Sequence, residues 1–153
     1  MLPRLKQTIL RHPYLLFVLM APIFLLISVF TRNRIVDIHT HDTMYVVSVA
    51  YIIWFLIILL SIGWTLYHLL EKVLLSKHLT WFHVISTIAF FIFCIVIALR
   101  SDGTPPTGYN WRITHDQMQT EQIIDTIAVL LFIAGQICLL VNLVGGLIKG
   151  RNH

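Results

Sequence analysis

Apolar residues along this chain gather into four long runs, and the short stretches between them hold nearly all of the charge. The runs span about Tyr14 to Phe30, Met44 to Leu70, Leu79 to Leu99, and Ile123 to Ile148. A helix needs roughly 20 apolar residues to cross a bilayer, so each run predicts a transmembrane helix, over 14–30, 44–70, 79–99 and 123–148. The first three contain no charged side chain, and Asp125 stands at the start of the fourth, where an acid suits the positive end of the helix dipole. Pro22 predicts a kink in the first helix. The second run is longer than a bilayer requires, so it should tilt or project. Residues 100–122 form the only long connection, with a turn-rich centre at Gly103–Gly108 and two aromatics, Tyr109 and Trp111, suited to the membrane interface.

The chain is therefore expected to be a single all-α, polytopic membrane domain over residues 1–153. Composition agrees: 58% of residues are hydrophobic and 12% charged, against about half and a quarter in soluble domains. A signal peptide is the rival reading of the first run, but that run is long, and Ser28-Val29-Phe30 has no small-x-small cleavage site, so a retained helix is expected. Cys94 and Cys138 sit inside apolar runs and read as small core residues. The net charge of +4 does not indicate a nucleic-acid partner, because the basic residues are scattered over ends and loops.

Orientation follows from the distribution of lysine and arginine. With a cytoplasmic N-terminus, Arg4, Lys6, Arg11, Lys72, Lys77, Lys149 and Arg151 lie inside, and Arg32, Arg34, Arg100 and Arg112 outside. Every acid except Glu71 then falls outside. Four helices with both termini cytoplasmic, in a bacterial inner membrane, is the expected topology.

The outer side repeats a short pattern. Thr40-His41-Asp42 precedes the second helix, Thr114-His115-Asp116 precedes the fourth, and each follows a basic-Ile pair, Arg34-Ile35 and Arg112-Ile113. With His39 and Asp37 nearby, these imidazoles and carboxylates form a candidate site for a divalent ion such as Mg, Mn, Zn or Cu. The competing reading is that both patterns are helix N-caps, in which Thr or Asp satisfies free backbone amides. At the inner side, His68 and His83 flank the connection between the second and third helices and are candidate axial ligands for a haem. No haem-attachment motif accompanies them, and a histidine at the interface is commonly a polar tip reaching water. In the fourth helix, Gly135, Asn142 and Gly146 share one face with the amide of Gln136 close by, a pattern that predicts close helix packing.

The stretch Asp37 to Val47 resembles subunit I of the haem-copper terminal oxidases, where the ninth helix passes into the tenth. Asp37, His41, Asp42, Thr43, Tyr45, Val46 and Val47 match that family's pattern. The resemblance implies a magnesium or manganese role for His41 and Asp42, completed in the oxidases by a second subunit. It extends over most of this chain, including His68, His83 and Asp125-Thr126-Ile127, but covers only the last third of subunit I. At the positions of the family's haem-ligating His-x-His this chain has Val49 and Tyr51, and the copper-ligating helices have no counterpart. The resemblance thus implies one of the three similar four-helix arcs of subunit I, three copies of which would close a ring, and it argues against oxygen reduction by this chain. Two function classes are expected: a non-catalytic homo-oligomer, trimeric by this reasoning, with an outer metal site; or a redox or accessory subunit of a respiratory complex, binding haem through His68 and His83. A small transporter has little support, since no charge lies mid-membrane.

Overall fold

The computed structural model describes residues 12–40, 43–100 and 111–151, with side chains left aside for 37–40, 43–44, 72, 111–118 and 150–151. Among the described residues four helices form: α1 (Leu15–Phe30), α2 (Val49–Leu70), α3 (Lys77–Arg100) and α4 (Trp111–Arg151). A short 3-10 turn, Glu71–Val73, leads from α2 towards α3. Between α1 and α2 lies an antiparallel hairpin of β1 (Ile35–Thr40) and β2 (Thr43–Ser48). Three helical stretches are long and apolar enough to cross a membrane: Val49–Leu70, Lys77–Arg100 and Gln119–Lys149. The chain is thus built as an integral membrane protein. The 16 residues of α1 are equally apolar but extend only about 24 Å at 1.5 Å per residue, short of the ~30 Å hydrocarbon thickness.

Two element boundaries depart from expectation. The second helix begins at Val49, not near Met44, because residues 43–48 pair as a strand instead. Both strands are rich in valine, isoleucine, threonine and tyrosine, which fit a pleated surface better than a helix. The register sets Ile35 opposite Ser48, Asp37 opposite Val46 and His39 opposite Met44. The excess length of the second apolar run is therefore strand, and the helix that remains, 22 residues, matches the bilayer without projecting. The fourth helix starts at Trp111 rather than Ile123. After Gly108 there is no Gly or Pro to stop it, and the Gln, Met and Glu residues of 117–122 are good helix formers. The expected loop to residue 122 is shortened accordingly, and its Gly103–Gly108 centre, with Tyr109, lies outside the described residues. Asp125 is an exposed residue well inside α4 rather than at its start.

Helices α1 and α2 pack as one pair and α3 and α4 as another, with α3 also touching α1 and α2. Burial follows this order: 39% of the most apolar stretch of α3 is buried and 11% of that of α4. The core between the pairs is made by Phe17 and Phe24 of α1, Val49, Ile53 and Leu60 of α2, and Val84, Phe91 and Ile95 of α3. Gly63 lets α2 approach α1, since a Cβ there would stand 3.1 Å from the Phe17 ring. Phe90 stacks on Phe132 across the second pair, with centroids 4.4 Å apart.

The hairpin is tied to the helix ends. Val49 N–H donates to the Arg34 carbonyl at 3.0 Å, Ser48 Oγ to the Arg32 carbonyl at 3.2 Å, and Arg34 Nη1 to the Leu99 carbonyl at 3.2 Å. The hairpin thus caps the end of the bundle at which α3 finishes. At the opposite end Tyr14 meets Glu71, and α4 meets the 3-10 turn.

Candidate functional site: a buried polar cluster and an outer hairpin

The side chains best placed for chemistry lie where α2, α3 and α4 meet inside the bundle. His83 is 5% exposed and Tyr67 3%. Thr80, His83 and Thr87 follow at three- and four-residue spacing, which sets them on one face of α3, turned towards Tyr67 of α2 and Gln136 of α4. Tyr67 Oη lies 2.9 Å from His83 Nδ1. On the other side of the ring, His83 Nε2 lies 3.3 Å from Gln136 Oε1 and 3.4 Å from Thr87 Oγ1. Gln136 Nε2 donates in turn to Thr87 Oγ1 at 3.4 Å. Donors and acceptors agree on one tautomer: Tyr67 donates to Nδ1, and Nε2–H donates to the Gln136 carbonyl oxygen. A neutral imidazole with both nitrogens engaged removes the cost of placing a polar ring in hydrocarbon.

Phe17 stands edge-on to the His83 ring at 6.2 Å. A cavity of about 180 Å³ adjoins the ring, bordered by Phe17, Gly63, His83, Thr87 and Gln136. It combines carbon walls with a histidine, a threonine and an amide, a lining able to hold water or one small polar ligand.

A second polar contact closes the α3–α4 pair. Asn142 is fully buried; its Oδ1 accepts from Ser76 N–H at 2.7 Å and its Nδ2 donates to Thr80 Oγ1 at 2.9 Å. The Asn142 carbonyl also accepts from Leu75 N–H at 3.2 Å. An amide of α4 therefore serves the free N–H groups at the start of α3. The expected stripe of small residues is used for this approach: a Cβ on Gly135 would meet Ser86, and one on Gly146 would run into the Val73 carbonyl.

Near that end, Tyr14 Oη donates to Glu71 Oε2 at 2.9 Å, and His12 Nδ1 lies 2.6 Å from Glu71 Oε1. Burial, then the hydrogen bond to Glu71 and its negative charge, push the Tyr14 phenol up to about 12 from its ordinary 10. The Tyr14 and Tyr67 rings stack at 6.0 Å and 3°, joining this cluster to the one around His83.

The haem candidates are placed differently from one another. His83 is engaged by Tyr67, Gln136 and Thr87, as described, whereas His68 is exposed and stacks on Trp64 at 5.6 Å. The buried Trp64 indole N–H has no partner among the described residues. At the positions where the oxidases carry haem ligands, Val49 is completely buried in the α1–α2 core, and Tyr51, 73% exposed, faces outward. Cys94 and Cys138 are free and half-buried, as expected of core residues.

Of the outer-face candidates, the backbone of Asp37 and His39 belongs to β1, and that of His115 and Asp116 to the first turns of α4. His41 and Asp42 lie outside the described residues, as do the side chains of the other four. Among the described residues no group of three metal-binding side chains is gathered. The cap reading changes. Thr40 and Thr43 are paired strand residues, and α2 begins six residues beyond Thr43. The N-cap position of α2 is Ser48, which makes no side-chain capping bond. Thr114 likewise stands inside α4 rather than before it. Neither Thr-His-Asp precedes a helix, because hairpin pairing in one case and helix propagation in the other moved the boundary.

The Tyr67–His83–Gln136 cluster was only partly legible in the sequence. Gln136 and His83 stand out as polar residues in apolar runs, but nothing in the spacing of Tyr67 marks it as the partner of a histidine sixteen residues on. Comparison with protein-family models, with characterised proteins and with solved structures finds no match for this chain.

Proposed function

We propose that this chain is a non-catalytic, homo-oligomeric protein of the bacterial inner membrane, related to subunit I of the haem-copper oxidases. Three copies assemble into a ring, and His-Asp pairs at its outer face hold a divalent ion. The observation that carries the non-catalytic reading is the pair Val49 and Tyr51. One is sealed in the core and the other faces outward, so the positions equivalent to the family's haem ligands offer iron neither an imidazole nor a pocket. The oligomer reading is supported by α4, whose apolar residues outside the α3 seam, including Leu130, Ile137 and Leu140, are exposed in the single chain. The bacterial inner-membrane location with cytoplasmic termini rests on the basic-residue asymmetry.

In the ring, His41 and Asp42, with Asp37 and His39 of β1 and His115 and Asp116 of α4, supply the donors. Imidazole with carboxylate suits Mg, Mn, Zn or Cu.

The alternative, a redox or accessory subunit of a respiratory complex, draws on His83, a buried imidazole beside a cavity. It would require His83 to release Gln136 and Thr87, or Tyr67, and His68 to leave the face of Trp64.

One preparation tests both readings: protein extracted in mild detergent without chelator, analysed for mass and for metals per chain. A trimeric mass with Mg, Mn, Zn or Cu at one or one-third per chain, lost in H41A/D42A, supports the proposal. A monodisperse monomer defeats the ring. Iron near one per chain with a Soret band transfers the assignment to the haem reading.

A further inference from the structure

Arg100, Glu121 and Asp125 surround one cleft, and none of them has a partner among the described residues. Arg100 is the last residue of α3, and Glu121 and Asp125 lie one turn apart on α4. With Phe93, Ile97 and Ile124 they enclose about 270 Å³. All three charged side chains are exposed, and among the described residues none makes an ion pair or hydrogen bond with another or with anything else. Two carboxylates four residues apart on a helix repel each other, and no ion pair among the described residues relieves them.

The cleft continues into the bundle. A second cavity of about 380 Å³ shares Phe93 and Ile124 with it and runs between α3 and α4 past Phe90, Ala89 and Ala128 to Phe82. Its walls are carbon apart from Ser86, whose hydroxyl is spent on the His83 carbonyl at 3.0 Å. From Phe93 to Phe82 the groove descends about 16 Å at the helical rise. That is roughly half the ~30 Å hydrocarbon core, the depth of one leaflet.

We propose that this continuous groove binds one zwitterionic glycerophospholipid with a primary-amine headgroup. An acyl chain lies between α3 and α4, the phosphate rests against Arg100, and the ammonium sits between Glu121 and Asp125. The charges match in sign and position: the arginine closes α3 at the groove mouth, where one phosphate meets it, and the two acids of α4 line the same cleft and share one ammonium. A lipid carrying phosphate without an amine would satisfy Arg100 but leave its negative charge against two carboxylates. A choline headgroup has no N–H to donate to them. Ammonium–carboxylate and guanidinium–phosphate contacts are the charge-assisted kind, stronger than neutral hydrogen bonds.

The full chain, reconstituted in bilayers of equal parts phosphatidylethanolamine, phosphatidylcholine and phosphatidylglycerol, is transferred to native mass spectrometry and its retained lipids are counted. One phosphatidylethanolamine per chain is expected, preferred about tenfold over phosphatidylglycerol, the scale of one good charged contact. Arg100→Gln lowers retention of every phospholipid. The double variant E121Q/D125N abolishes the preference, so that phosphatidylglycerol is retained equally. Ala128→Trp fills the groove and removes retention while the charged cleft stays intact. The two charge variants alter exposed side chains only, so they remain informative even where Ala128→Trp misfolds. Equal retention of all three lipids by the native chain, or a preference that survives E121Q/D125N, overturns the proposal.

Discussion

Replacing Asn142 by alanine probes the joint that holds α4 to the rest of the molecule. The side chain is fully buried and makes two hydrogen bonds, to Ser76 N–H at 2.7 Å and to Thr80 Oγ1 at 2.9 Å. In membrane proteins such a bond is worth about 0.6 kcal/mol on average and up to about 1.7, so the two together set a scale of ~1–3 kcal/mol. The losses are unequal. Thr80 keeps its own bond to the Ser76 carbonyl at 3.2 Å, whereas Ser76 N–H, just before α3, has no second acceptor among the described residues. An unsatisfied buried donor costs about 1–3 kcal/mol, which places N142A near the upper part of that range. Reversible unfolding in mixed micelles of increasing SDS fraction measures it. A double-mutant cycle with Thr80→Ala isolates the Asn142–Thr80 pair, with an expected coupling of ~0.5–1 kcal/mol. A loss below ~0.3 kcal/mol for N142A, together with zero coupling, would refute the idea that a polar joint rather than apolar contact fixes α4 on α3.

Gly146→Leu drives a side chain into the Val73 carbonyl; it should destabilise by about 2 kcal/mol or more, as steric overpacking does, whereas Leu147→Ile at the exposed neighbouring position should be nearly neutral in the same assay. Tyr67→Phe removes the hydroxyl bonded to His83 and should cost about 1 kcal/mol; a stability equal to the native chain's would mean that bond contributes nothing. Tyr14 is raised in the folded state, so its contribution to stability is whole below pH 10, its ordinary value, and is lost as pH rises through about 12. The near-ultraviolet tyrosinate signal, taken as the difference from Tyr14→Phe, should titrate near 12. Glu71→Gln should lower that midpoint only part of the way, because burial is the larger cause, and a midpoint unmoved by E71Q would remove Glu71 from the explanation.

Hydropathy alone placed a helix in each of the four apolar runs, because a bilayer asks only for length and for the absence of charge, both of which are local properties. The ends of α1, α2 and α3 at Phe30, Leu70 and Arg100 fall within a residue of the run boundaries for the same reason. The packing of Gly135, Asn142 and Gly146 was also legible, since small and amide residues at helical spacing have few other uses in hydrocarbon. Tertiary structure decided the rest. Residues 43–48 continue the apolar run of α2 without a break in composition, and only pairing with Ile35–Thr40 makes them a strand. That pairing also makes Thr40 a strand residue rather than the supposed helix cap. His83 and His68 are alike in one dimension, each a histidine near an end of an apolar run. The bundle gave His83 three polar partners from α2, α3 and α4 and left His68 exposed against Trp64. Hydrophobic patterning reports how each segment meets lipid, but the partners of a buried polar group come from other helices, and only their packing brings them within reach.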